Sequence, residues 1–522
     1  GANRVFARNG RDQRICPQQG RTVCSPAILE APMQHISDHA PFLESLAQAI
    51  AEQPTSFHMP GHKFDPQLLP GFSALFGAGV IAGDLSEAMP SVDYLHGATS
   101  ALVAAQQLAA AAVGAEHTFF LVNGSTVGNQ AMLLAVGHDG GRVLMPRASH
   151  RSVYAGLILS GATPIYLQPK PHPQLGFPLA IDCATVAEAL QAHPDVVALH
   201  ITSPSYYGYV SDVPALAELA HAHHIPLLVD EAHGAHFPYH PALPPSAVRC
   251  GADVVVQSAH KTLGALTQAA LLHHAGNRVD LNRIQSMLAL LQSSSPSVLL
   301  TASLDAARQQ ASQRGHELLT NAIALANDAR AAIRTIPGLW CYGDELIGQN
   351  GIAGHDPTKL VIRVSDSGWN GIAFAERLWA RYRLSVEFAD PHQLIGTISM
   401  ADTRANIDVL LGALRAIAAE PLPVQAQYPT IWPTHALPPM ILTPRQASLQ
   451  SSQPIALAES VGMICAEPVI PYPPGIPLIM PGEQISADLV AYLGELLALG
   501  VKIVGPQQIG VGSIRVICSP AA

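Results

Sequence analysis

In ADVVVQSAHKTLGALTQAALLHH, residues 252–274, two apolar runs flank a single lysine, Lys261. The runs are short and continuously apolar, which reads as strands covered on both faces rather than as amphipathic helices. A lysine at the end of a covered strand loses the hydration of its ammonium, so its amine shifts toward the free base near neutral pH. Such an amine is a nucleophile.

Working outward, the same pattern recurs. HTFFLV, RVLMP, TPIYLQ, VVALHIT and PLLVDEAH alternate with helical patterns at 126–137, 149–160, 184–192 and 213–224. Covered strands alternating with helices make a mostly parallel sheet with helices on both faces, an α/β fold. Ligands of such sheets bind beyond the carboxyl ends of the strands. The polar tails NGST, PRASH, TSPS, DEAHGAH and SAHK all fall at those ends and are expected to form one mouth.

The chain has 522 residues, enough for two or three domains, and with 48% hydrophobic and 13% charged residues it carries enough apolar side chains for large cores. Lys plus Arg number 28 against 38 Asp plus Glu, a formal charge of −10, and no basic run appears, which argues against nucleic acid as a partner. Seven cysteines lie scattered without CxxC spacing, as expected of a protein in a reducing compartment, the cytoplasm. The uncharged runs 97–115 and 117–138 contain Gln106, Gln107 and NGST, too polar to span a membrane. Residues 1–32, with five arginines and little periodicity, read as a disordered leader or as sequence upstream of a start at Met33. HAHH, 221–224, has no carboxylate or cysteine cluster to complete a metal site and reads as solvated surface; no metal is expected.

The large domain is placed at 33–305. A smaller α/β domain follows at 306–420, with KLVIRVSD, LSVEFAD, LIGTISM and helices at 371–382 and 403–418. The Pro- and Gln-rich 421–454 reads as a linker, and 455–522 as a C-terminal α+β domain with a final helix at 485–498.

At the mouth, Asp230 ends a buried strand, and a carboxylate there needs a cation or strong donors. A lysine amine suits a Schiff base and a carboxylate suits the protonated nitrogen of a pyridine ring, so Lys261 and Asp230 together fit pyridoxal 5′-phosphate. NGSTVGNQ, ahead of the helix at 126–137, offers small residues and backbone N–H groups for a phosphate. Ser258 and His260 add donors, and His150 is placed to stack on a ring. Taken singly, Asp230–Lys261 also reads as a structural ion pair, and His150, His233 and His260 as hydrogen-bonded core histidines.

The conjunction resembles the ornithine/lysine/arginine decarboxylases, pyridoxal-phosphate enzymes of the aspartate-aminotransferase fold (fold type I). SFHMPGHK, GDLSEAMPSVDYLHG, FFLVNGSTVGNQAM, PRASHRSV, TSPSYYGYVSD, VDEAHGAHF, QSAHKTLGALTQAALLH, LQSSSPSVLLTASLD and YPPGIPLIMPGE carry the resemblance. The short interval before SFHMPGHK resembles the family's short form, without a wing domain. The resemblance implies that Lys261 binds the cofactor covalently, that Asp230 pairs with the ring nitrogen, and that Ser125, Thr126 and Ser258 hold the phosphate. It places His150 on the ring, Ser203 near its phenolic side, and His233 and His260 beside Lys261. Glu483 becomes a candidate for the substrate's cationic end. The implied reaction is decarboxylation of arginine, lysine or ornithine to agmatine, cadaverine or putrescine, precursors in polyamine biosynthesis, by a homodimer or larger homo-oligomer. An aminotransferase or aldolase, or a non-catalytic protein that binds the same cofactor, is the alternative; for an aminotransferase, Arg363 is the candidate carboxylate grip.

Overall fold

The computed structural model describes residues 38–168, 171, 172, 175, 178–421, 437–472, 477–498, 501–505 and 512–518. The 1–32 leader and the first part of the 421–454 stretch therefore lie outside the described residues.

Eight strands come first: β1 (His117–Leu121), β2 (Arg142–Pro146), β3 (Thr163–Leu167), β4 (Val196–Thr202), β5 (Tyr209–Ser211), β6 (Leu227–Asp230), β7 (Val254–Gln257) and β8 (Ala270–His274). Seven of them form one sheet in the order β1-β8-β7-β6-β4-β2-β3. β8 runs antiparallel to β1 and β7, and the pairs from β7 through β3 are parallel. β6, β7 and β8 are buried at every residue, as their continuous Val and Leu composition requires of strands covered on both faces. The helix Gly124–Val136 lies so close to this sheet that a Cβ on Gly128 would collide with Val256. The α/β fold with a mostly parallel sheet is borne out.

The helix Val298–Ile333 has 36 residues, about 54 Å at 1.5 Å per residue. Val298, Ala302, Leu304, Ala307 and Ala311 pack with Phe42, Leu102 and Phe120 of the large core. Ala322, Leu325, Ala326, Ala329 and Ile333 pack into the second core with Leu360, Ile362, Phe374 and Leu414. The expected boundary at 305/306 falls inside this helix. Its Asp305, fully buried, accepts from the Phe42 backbone N–H at 2.9 Å and so caps the helix Pro41–Ala51, whose own Ala40 offers no capping side chain.

After the long helix come β9 (Trp340–Tyr342), β10 (Ile352–His355), β11 (Lys359–Arg363), β12 (Phe388–Ala389) and β13 (Gln393–Thr397). β12-β13-β11-β9 form an antiparallel sheet, while β10 pairs antiparallel with β5 of the large domain. The β5–β10 pair and the long helix thus join the two domains twice. The described part of the Pro-rich stretch holds a short helix, Pro444–Ser448, and the start of β14 (Ser452–Ala456). β14 pairs antiparallel with β17 (Ser513–Ile517), and β15 (Ile470–Tyr472) with β16 (Lys502–Val504). With the helix Ala487–Ala498 they enclose a core of Cys465, Val469, Ile479, Leu493 and Val516.

Two expectations need correction. His221 is not plain solvated surface: its Nε2 lies 2.8 Å from the buried carboxylate of Asp253. Glu483 does not face a substrate. It is 1% exposed, and both of its oxygens accept from the guanidinium of Arg147, one at 2.8 Å, while the Met480 backbone N–H donates to Oε2. Arg147, equally buried, also donates to the carbonyls of Pro477 and Leu478 and lies over the Tyr166 ring. The pair latches the C-terminal domain onto the end of β2. Opening such a buried pair leaves an uncompensated charge. Glu483→Gln is therefore expected to cost about 3–5 kcal/mol of stability, seen as a lowered unfolding midpoint in urea, with the KM of the folded fraction unchanged.

Candidate active site

Asp230 is the last residue of β6 and is 2% exposed. Its Oδ1 accepts from the Ala232 backbone N–H at 3.1 Å and its Oδ2 from Asn129 Nδ2 at 2.8 Å. The same Asn129 amide nitrogen lies 2.9 Å from Ser152 Oγ, and Ser152 Oγ lies 2.8 Å from His150 Nδ1. Four residues, from β6, from the second turn of one helix and from the N-terminus of another, are thereby joined in one chain. Behind it, burial pushes His200 down to about 4, so a neutral ring, 3.5 Å from the Asn129 amide oxygen, backs the carboxylate. His150 caps the helix Arg151–Ser160 by accepting from the Ser152 N–H, and burial lowers its pKa although Asp230 opposes the shift.

Lys261 lies in a single helical turn, Ala259–Thr262, directly after β7. The residue is exposed at the mouth of the site, with its amine turned onto His233. Burial lowers its pKa, with Asp230 and Glu387 opposing and Lys359 adding to the effect. Lys261 Nζ lies 3.0 Å from His233 Nε2 and 5.8 Å from the centre of the Tyr206 ring. Tyr206 also stands edge-on to His233, ring centres 5.0 Å apart. Burial, followed by Lys261 and Lys359, holds the His233 pKa well below the ordinary histidine value. The opposite ring nitrogen of His233 lies 3.3 Å from Lys359 Nζ. Lys359 starts β11, is 1% exposed, and also donates to Glu387 at 2.8 Å and Thr397 at 2.7 Å.

At the N-terminus of the helix Gly124–Val136, Gly124 turns with φ +72° and Ser125 Oγ meets Ser258 Oγ at 2.9 Å. Thr126 is exposed on the same turn. Two hydroxyls and the backbone N–H groups at the positive end of a 13-residue helix make a cradle for an anion. His260 Nδ1 pairs with the Ala269 carbonyl at 3.1 Å, which leaves its Nε2 as the acceptor. Ser203 is buried, and its Oγ accepts from the Ser211 N–H at 3.2 Å, tying the end of β4 to β5.

The structure thus gathers Asp230, His150, His233 and Lys261 in one connected environment, with Ser125 and Ser258 paired beside it. Sequence reasoning missed Asn129, Ser152 and Tyr206, although all three stood inside the motifs NGSTVGNQ, PRASHRSV and TSPSYYGYV. It also missed Lys359, Glu387 and Thr397, for which no local pattern exists. Arg363 is not the cation that β11 brings to Lys261; its guanidinium lies by Asp366, 3.0 Å away, and the Tyr342 hydroxyl at 3.4 Å.

The family model of the Orn/Lys/Arg decarboxylase major domain matches residues 40–406, and that of the C-terminal domain of the same family matches 432–505. An arginine decarboxylase of Halalkalibacterium halodurans is 36% identical over 92% of this chain and 98% of its own length. An arginine decarboxylase of Bacillus subtilis is also 36% identical, over 92% of this chain and 99% of its own. Among solved structures, a lysine decarboxylase of Francisella novicida superposes with a TM-score of 0.79 at 20% identity, over 92% of this chain and 82% of that one, which establishes the shared fold. The chain belongs to the Orn/Lys/Arg decarboxylase family and is a basic amino acid decarboxylase.

Proposed function

We propose that this enzyme decarboxylates arginine to agmatine with pyridoxal 5′-phosphate as cofactor. The observation that carries the reading is the amine of Lys261, from an exposed residue at the mouth of the site, held at His233 near the buried carboxylate of Asp230. The substrate follows from the relatives named arginine decarboxylase at 35–36% identity.

The donor set fits the cofactor. Lys261 would hold its carbonyl carbon, Asp230 its ring nitrogen, and Ser125, Ser258 and the helix N-terminus its phosphate, with His150 against the ring. When bound, the cofactor supplies a protonated pyridine that accepts the electron pair left behind as CO2 departs. The protein's own part is orientation and proton control. Asn129 and the Ala232 N–H fix the direction of the Asp230 carboxylate, and the apolar strands around it strengthen its pairing with a cation. His233 and Lys261, 3.0 Å apart, are the groups positioned to pass a proton to the α-carbon.

The same reading makes the working unit a homodimer or a larger homo-oligomer in the cytoplasm. Exposed apolar side chains within 57–76, among them Phe57, Met59, Leu75 and Phe76, support the association, and sedimentation equilibrium tests it. Among the described residues no helix is long and apolar enough to cross a membrane.

Incubation of the cofactor-loaded enzyme with arginine, lysine and ornithine separately is expected to give agmatine as the dominant amine, with equimolar CO2. Cadaverine or putrescine as the main product would reassign the substrate, and a keto acid would point to transamination. Lys261→Ala and Asp230→Ala are each expected to lower kcat by about a thousandfold or more, measured as CO2 release. Asn129→Ala is expected to lower kcat less than either, because it misdirects the Asp230 carboxylate without removing it.

A further inference from the structure

Lys359 has no part in the roles assigned so far, yet it is a fully buried lysine pointed at the centre of the site. Its stem passes over Gly208, which adopts φ +84°, and a Cβ at that position would sit 2.7 Å from Lys359 Cγ. The β5 side of the large domain is thus shaped to admit this one side chain from β11 of the small domain.

An ammonium has three N–H donors and no acceptor. Lys359 Nζ has three neighbours to receive them: Glu387 Oε2 at 2.8 Å, Thr397 Oγ1 at 2.7 Å and His233 Nδ1 at 3.3 Å. Thr397 Oγ1 in turn donates to the same Glu387 oxygen, so its lone pairs are free to face the lysine. Although burial opposes it, the Lys359 ammonium holds the Glu387 carboxyl below its ordinary range, so the anion persists. A neutral imidazole carries one N–H and one lone pair. If Nδ1 bore the hydrogen, two donors would face each other in a buried site. With the lone pair at Nδ1, the hydrogen is on Nε2 and points at Lys261 Nζ, 3.0 Å away. The Lys261 nitrogen must then accept, and a lysine nitrogen accepts only as the free amine.

We propose that Lys359 is a positioning residue that sets the tautomer of His233 and thereby holds Lys261 as a hydrogen-bond acceptor, ready to react as an amine. The charged and titratable groups around His233 agree with this arrangement. Lys359 and Glu387 come from the small domain, Asp230 and Lys261 from the ends of β6 and β7, and His150 from beyond β2. His236, with Asp356 3.2 Å from its Nε2, faces it from the loop after β6. The Lys359 charge acts against a proton on His233, and Glu387 Oε1 lies 3.6 Å from its Nδ1.

The inference rests on Lys261 being the reacting amine, and its test is separate from the test of substrate and product because it uses the full chain without cofactor or substrate. The rate of Lys261 carbamylation by cyanate, followed by peptide mass spectrometry against pH, gives the pH at which half of this amine is free base. In Lys359→Met, a cation is lost, Glu387 is released, and the His233 hydrogen is free to move to Nδ1. The midpoint is expected to rise by about one pH unit, so that Lys261 reacts about tenfold more slowly at neutral pH. A midpoint that stays in place or falls in folded Lys359→Met would overturn the proposal, since a purely structural role leaves it unmoved. Because the Lys359 charge also acts on Lys261 directly, the wild-type chain labelled with 15N-histidine decides on the tautomer, the His233 signals being identified by their loss in His233→Asn. An unprotonated Nδ1 and a protonated Nε2 support the assignment; the reverse pattern refutes it.

Discussion

His233 meets a lysine nitrogen on each side of its ring, and a neutral imidazole cannot accept from both. One neighbour, Lys359, is already satisfied by a carboxylate and a hydroxyl and needs only one more acceptor. The other, Lys261, is left to receive the remaining hydrogen. This asymmetry makes a lysine, ordinarily a hydrated cation, available as a nucleophile in water near neutral pH. The carboxylate of Asp230 is treated in the opposite way. It is buried more completely than Lys261 but receives two donors, so it stays oriented toward the same cavity.

The two groups come from neighbouring strands whose pairing places Asp230 directly opposite Val256. Lys261 follows β7 by one helical turn, so its reach is set by the sheet rather than by a mobile loop. The remaining partners arrive from the antiparallel sheet of the small domain. They stay in register because that domain is bound to the large one by the β5–β10 pair and by a helix that enters both cores. Chemistry at the mouth therefore depends on the packing of both ends of that helix, Val298 to Ala311 in one core and Ala322 to Ile333 in the other.

Much of this was legible in the order of residues. Short apolar runs ending in NGST, PRASH, TSPS, DEAHGAH and SAHK announced both the sheet and the side on which its ligands bind, because in a sheet covered on both faces polar residues belong at strand ends. Asp230 and Lys261 were readable for that reason. Lys359 and Glu387 were not. Each is one polar residue in an otherwise ordinary strand pattern, and what matters about them is contact with a residue more than a hundred positions earlier. Glu483 was misread for a related reason: a carboxylate in YPPGIPLIMPGE was taken for a ligand, while its partner Arg147 stood in PRASH as an unremarked polar tail. Charge complementarity across 336 positions has no local signature.

The continuous helix Val298–Ile333 has a consequence for how such proteins exchange parts. Hybrids joined at residue 305 would splice two unrelated apolar stripes within one cylinder. A join just beyond Ile333, in the turn ahead of β9, keeps the stripe whole. Recombination that survives selection should accordingly cross over after the helix, carrying it along with the large domain.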